Sequence, residues 1–253
     1  MRRVRIRRGR VATSFLLMAV VAALCAAMSP AWATAATMTD LGTLPGTYPG
    51  PTSSHGTAIN DLGQVTGYSV SATECCWPLR RAFRWTPTTG MQDLGNAWSR
   101  GYAIDDLGQI AGSARELPQG GWGYAFRWTP SGGMQNLSAP SYGIFSYATA
   151  INALGQVTGS ELVSGGVFDA FRWIPSGGMQ DLGPGDAVGL NDLGQVALNN
   201  GGHAFRWTPS GGMQDLGTLG GTSSSASAIN AFGQVTGDAT TSTGDVHAFR
   251  WTP

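Results

Sequence analysis

Few side chains in this 253-residue sequence could carry chemistry, and their spacing decides what kind. Glycoside hydrolysis takes two carboxylates held across a sugar bond. Five recurring segments end in Asn60, Asp105, Asn152, Asn191 and Asn230, so Asp105 is the one acid at that position, with Asp186 at the start of another such segment. Nucleophilic catalysis would need a histidine near a hydroxyl and an acid. His55, His203 and His247 stand at unrelated points of their repeats. Three scattered histidines and the adjacent Cys75 and Cys76 do not make a zinc site. The recurring Asp-Leu-Gly lacks the alternating acids of a calcium loop. The expectation is a chain with no metal, no cofactor and no enzymatic activity.

Contact chemistry is better represented. Trp77, Trp98 and Trp122 lie outside the repeated core, with Tyr48, Tyr142 and Phe145 as further aromatic candidates. Arg80, Arg81, Arg100, Arg115 and Glu116 flank the tryptophans. Flat aromatic faces with few charges suit stacking on sugar rings or on a partner protein. The competing reading has the same rings folded inward, plugging a channel or capping sheet edges. Cys75 and Cys76 have Cα atoms about 3.8 Å apart, closer than an ordinary disulfide. Two free thiols and a strained vicinal disulfide both remain open.

A repeat must position these residues. "AFRWTPSGGMQDLG" (Ala204–Gly217) has near copies at Ala82–Gly95, Ala125–Ser138 and Ala170–Gly183, and a fifth is split between "HAFRWTP" at the end and "MTDLGTL" near the start. Each unit holds four short strand candidates, typified by "SASAIN", "GQVTGDA", "HAFRWT" and "MQDLG". Short alternating segments divided by Gly, Pro and Asn are an all-β pattern. The turns "NDLG", "DDLG", "NALG", "NDLG" and "NAFG" place a side-chain acceptor first and a Gly tolerant of positive φ last, as a tight hairpin requires.

The recurring order AFRW–P–MQDLG–AIN–GQV resembles the HAF repeat of extracellular bacterial proteins, from about Met38 to Pro253. Unit four departs most, with "GLNDLGQVALNNGGHAFRW" lacking the alanine of "AIN" and the glycine of "VTG". The resemblance implies secretion and little about activity. By architectural analogy the strand order is similar to kelch-type propellers. Residues 1–36 read as a secretory signal peptide, with six arginines among the first ten residues, an apolar run of about 14, and cleavage after Ala33 or Ala36. Its removal leaves nine arginines against 15 acids, a net charge of −6. That balance disfavours nucleic acid and anionic membranes.

The phase of the repeat predicts closure. Residues 37–253 are expected to form a five-bladed β-propeller of four-stranded antiparallel blades, with Met38–Leu44 supplying the last strand beside Ala248–Thr252. An open or differently wound β-array is the alternative. A four-residue loop would pair Arg84 with Asp93, Arg127 with Asn136, Arg172 with Asp181, Arg206 with Asp215 and Arg250 with Asp40, and would place Phe and Leu on one side between blades. These pairs are read as structural. Short constant turns occupy one end of the blades and variable connections the other, where binding surfaces are usually built. A secreted, monomeric binding module for a glycan or a cell-envelope partner is therefore the first reading. A structural wall-associated protein comes second and a hydrolase third.

Overall fold

Among the described residues, nineteen short strands form five successive antiparallel sheets, and no helix is present. The computed structural model describes residues 36–46, 52–71, 79–95, 97–115, 123–138 and 145–253. Tyr48, Cys75, Cys76, Trp77, Trp122, Tyr142 and, up to residue 35, the segment expected to be a signal peptide lie outside them. The first sheet contains β1 (Ser53–Ile59), β2 (Val65–Ser71), β3 (Leu79–Thr86) and β4 (Gly90–Asp93). The second contains β5 (Arg100–Ile104), β6 (Ile110–Arg115), β7 (Gly123–Thr129) and β8 (Gly133–Asn136). The third contains β9 (Phe145–Ile151), β10 (Val157–Leu162), β11 (Phe168–Ile174) and β12 (Gly178–Pro184). The fourth contains β13 (Asp186–Leu190), β14 (Val196–Asn200), β15 (His203–Thr208) and β16 (Gly212–Asp215). The fifth has three strands, β17 (Gly220–Ile229), β18 (Val235–Thr241) and β19 (Val246–Trp251).

Residues 41–253 make one unit. Within it, the first strand of each sheet abuts the first strand of the next, from β1 through β5, β9 and β13 to β17. The turns that follow all five line a single cavity. The sheets are therefore set radially, in a propeller-like arrangement. Residues 36–46 are assigned no strand, so the fifth sheet lacks the fourth strand expected from Met38–Leu44. Leu44 is nonetheless buried, its backbone N–H donating to Ser69 Oγ at 3.0 Å.

Alternation within AFRW explains the packing. Phe126 and Trp128 of the second sheet meet Ala82 and Leu94 of the first. Phe171 and Trp173 of the third meet Ala125 and Leu137 of the second, and Trp207 of the fourth meets Ala170 and Leu182 of the third. Each sheet thus presents small residues and a leucine forward, and aromatic residues backward. Phe and Leu of one sheet do not share a side, as the sequence predicted; they meet across the interface. Phe126 is wholly buried, and truncating such a side chain to Ala typically costs about 3–5 kcal/mol.

The hairpin register corrects the expected Arg–Asp pairs. Thr86 faces Gly90, so the loop holds three residues, and Arg84 faces Gln92 while Phe83 faces Asp93. The same shift sets Arg127 opposite Gln135, Arg172 opposite Gln180 and Arg206 opposite Gln214. The cause is the last Gly of the turn. Gly90 takes φ +69 inside the ladder rather than in the loop, and a one-residue slip sends every side chain to the other face. Arg84 and Asp93, Arg127 and Asn136, Arg172 and Asp181, and Arg206 and Asp215 therefore lie on opposite faces. The fifth pair, Arg250 with Asp40, has no fourth strand to carry it.

Each repeated arginine instead reaches forward. Arg84, Arg127, Arg172 and Arg206 lie over Trp128, Trp173, Trp207 and Trp251 of the following sheet, 6.0, 5.4, 5.7 and 5.3 Å from the ring centroids. Gln64, Gln109 and Gln156 of the arginine's own sheet accept hydrogen bonds from the first three. The glycine of the next Asn-x-x-Gly turn closes the nest. A Cβ at Gly108 would lie 2.5 Å from Arg84 Nη2, and Gly108 also holds φ +72. Burial lowers the pKa of Arg127 and Arg172, with Asp105 opposing the shift at Arg127. Arg172→Ala should lower stability by about 2 kcal/mol or more, since a desolvated cation–π contact and its hydrogen bonds are lost together. Asp181→Asn, which keeps its bond from Gly183 N–H, should stay within about 0.5 kcal/mol. Chemical denaturation of the two variants checks both.

Candidate functional site

Each sheet is a meander, so its first and third turns share one end and its second connection lies at the other. At the constant-turn end, the Asn-x-x-Gly hairpins are built alike. Asn60 Oδ1 accepts from Leu62 and Gln64 N–H at 3.2 and 2.8 Å, and Gly63 holds φ +70. The Asn side chain also reaches the next sheet. Asn60 Nδ2 donates to Asp105 O at 2.7 Å, Asn152 to Asn191 O at 2.9 Å, and Asn191 to Asn230 O at 2.9 Å. Asp106 Oδ1 accepts from Asp61 N–H and Asp192 Oδ1 from Ala153 N–H. The turns line a cavity of about 370 Å³ walled by Ile59, Ile104, Ile151, Leu190 and Ile229.

Asp105 interrupts the circle, because a carboxylate cannot donate to the next sheet. It accepts from Gln109 N–H and Nε2 at 2.8 and 2.7 Å. Burial nevertheless holds its carboxyl above the ordinary range, against the opposing pull of those bonds, the Leu107 N–H and Arg127. The other acid of the inner strands singled out by sequence, Asp186, begins β13, whereas Asp105 follows the end of β5. The two occupy opposite ends of the inner strands, roughly 17 Å apart at about 3.4 Å per residue. A glycosidase pair needs its carboxyls no more than about 9.5 Å apart, so these two acids do not form one.

At the variable end the structure gathers a basic and aromatic cluster between the first two sheets. His55 stacks on Tyr68 at 4.8 Å. The Arg80 and Arg100 guanidinium groups lie 5.8 and 4.8 Å from the Tyr68 ring. Among the described residues neither arginine has a carboxylate within ion-pair distance, and Arg80 Nε is buried without a hydrogen-bond partner. Trp98 adjoins the cluster in sequence, half-buried, and at φ +63 is the one non-glycine residue in the left-handed region among those described. Such backbone strain costs on the order of 1–3 kcal/mol and concentrates at functional sites. Ser99 fixes the segment, its Oγ accepting from Ala82 N–H at 2.8 Å. Further round, Tyr147 Oη donates to Asp186 Oδ1 at 3.2 Å. Arg81 points away and pairs with Asp93.

The expected aromatic anchors are thus only partly located. Trp98 precedes Ser99, whose N–H donates to Arg80 O at 3.1 Å, while Trp77, Trp122, Tyr48 and Tyr142 lie outside the described residues. Sequence reasoning missed Tyr68 and its stack with His55, because a tyrosine inside a strand reads as core. It also missed that the residue two before Phe faces the Asp of the fourth strand. That pairing is Arg81–Asp93 in the first sheet and His203–Asp215 in the fourth, at 2.8 Å. In the third sheet the residue is Asp169, near Asp181 and the buried Glu161. Burial first, then the charge of Asp181, raises the pKa of Glu161 and Asp169, with Asp169 a further cause at Glu161.

No protein-family model matches the chain, and no curated protein does. Among solved structures it is similar to TolB from Acinetobacter baumannii, at 13% identity and a TM-score of 0.44, over 61% of this chain and 40% of that one. It is also similar to a gluconolactonase, XC5397 from Xanthomonas campestris, at 10% identity and a TM-score of 0.41, over 70% of this chain and 72% of that one. The chain spans less than half the length of the TolB it matches. Likenesses this distant assign no activity.

Asp105→Asn should stabilise the protein by about 0.5–1.5 kcal/mol at neutral pH, through a new hydrogen bond to Asn152 O. The pH dependence has a definite sign. With the folded carboxyl held above its unfolded value, ionisation opposes folding, so wild-type stability falls as pH rises through the folded pKa. The advantage of the variant should shrink toward about pH 4, near the ordinary Asp value, and reach its full size at pH 7. Thermal melts across that range check it.

Proposed function

We propose that this chain is a secreted, non-enzymatic binding module of the HAF-repeat kind that takes an anionic carbohydrate at its variable-loop end. One observation carries the reading: two guanidinium groups flank the Tyr68 ring, and among the described residues no carboxylate lies within ion-pair distance of either. A uronate-bearing sugar would bring a carboxylate to Arg80 and Arg100, and its ring would stack on the exposed His55 ring. Charge-assisted, bidentate contacts of this type are the strong ones. A glycan array run with uronate-containing and neutral polysaccharides tests it. Binding is expected to the acidic set, and Arg100→Ala and Tyr68→Ala should each weaken it by about 1–3 kcal/mol. Equal binding by these variants, or no binding to any acidic glycan, overturns the reading and favours a structural wall-associated role.

The same proposal includes closure of the ring by the segment ending in Leu44. The buried Leu44, the split fifth repeat and the cavity lined by all five turns support it. Arg250, exposed in the open arrangement, would then lie over Trp85 as its four counterparts lie over theirs. Arg250→Ala should therefore destabilise by about as much as Arg172→Ala. A change within about 0.5 kcal/mol would leave the array open.

A further inference from the structure

The constant-turn end carries a feature that the turns themselves do not require. In every Asn-x-x-Gly hairpin the third residue is large, apolar and exposed: Leu62, Leu107, Leu154, Leu193 and Phe232, at 60, 65, 60, 60 and 80%. The turn is made by the Asn side chain and the glycine, and leaves this position free. Scattered exposed leucines need no explanation. Here five stand at equivalent positions, one per sheet, at the same end of the array. Between the five turns, the isoleucine-walled cavity of about 370 Å³ falls within the range of about 300–1,000 Å³ typical of ligand pockets. Outside it, a groove runs between Leu193 and the outer turn at Thr208–Gly212, floored by Gln195 and Arg206.

The charge on this end selects the occupant. Asp61, Asp106 and Asp192 stand exposed on the rim, beside Leu62, Leu107 and Leu193, while the four repeated arginines lie beneath, held by tryptophans. A second copy would bring the same acids against them, and an anionic membrane would be repelled likewise. We infer that this end is a docking face for a basic, apolar segment of a partner protein, which lays an apolar side chain into the Ile-walled cavity and sets its cationic neighbours against the aspartates. The inference concerns the opposite end of the molecule from the carbohydrate site, so either can fail without the other.

Fluorescence anisotropy with three labelled peptides, alternating Lys–Leu, Glu–Leu and Lys–Ser, tests it on the full chain. The Lys–Leu peptide alone should bind. Leu107→Ser/Leu154→Ser/Leu193→Ser should weaken that binding about tenfold or more. Asp61→Asn/Asp106→Asn/Asp192→Asn, which keeps the backbone-capping acceptors, should weaken it and remove its salt dependence. Circular dichroism establishes that both variants fold. Equal binding of the Glu–Leu peptide, or unchanged affinity in folded leucine variants, overturns the inference. So does a dimer in sedimentation velocity that the leucine variant abolishes, which would make a second copy the occupant. Co-flotation with phosphatidylcholine vesicles, also lost in the leucine variant, would make it a membrane.

Discussion

A guanidinium group held over the indole of the next sheet is the contact on which the rest of this molecule depends. Arg172 is nine-tenths buried, yet among the described residues it has no carboxylate partner. Its charge is accommodated by the face of Trp207 and by Gln156 Oε1. That choice constrains several other positions at once. The arginine must face forward, which fixes the three-residue hairpin loop. The glutamine after the Asn-x-x-Gly turn must supply an acceptor, and the next turn must carry glycine where the guanidinium passes. A buried carboxylate would have met the same electrostatic need, but both ions would then have to be desolvated, which seldom adds net stability.

The interface contacts also separate the two ends of the array. Inter-sheet hydrogen bonds from the Asn ring, together with the arginine nests, gather toward the Asn-x-x-Gly turns, and that end repeats nearly unchanged from sheet to sheet. The other end is joined by connections that differ in length and composition, and there the sheets carry individual clusters: His55 on Tyr68 in the first, Phe145, Tyr147 and Phe168 in the third. The repeated scaffold leaves that end free to vary without disturbing what holds the sheets together.

Much of this architecture was legible in the sequence. The four strand types, their order and the glycine-closed turns followed from short alternating segments between Asn, Gly and Pro, and apart from Met38–Leu44 each appears where the pattern placed it. The hairpin register did not follow. A loop of three residues and a loop of four are equally compatible with "WTPSGGMQ", and only the left-handed glycine inside the ladder separates them. The arginine's true partners were hidden for a related reason: Trp128 is more than 40 residues from Arg84, and nothing local links them. The candidate site was legible as far as Trp98 and its flanking arginines. Tyr68 and His55 were not, since their proximity is created by cross-strand pairing. The split fifth copy was read correctly as sequence, but no strand forms at residues 36–46.

Because each sheet offers small residues and an arginine forward and aromatic rings backward, the packed interfaces are head-to-tail and share one pattern. No junction is keyed to its own neighbours. Units of this design are interchangeable parts: duplicating or deleting one creates no mismatched junction, so the array can grow or shrink by whole modules during evolution. The same property makes the order of the units along the chain immaterial to their packing. A chain rearranged to begin at a different variable connection would assemble the same interfaces, and the lineage of such a protein would be recorded in the number of its modules more than in their identities.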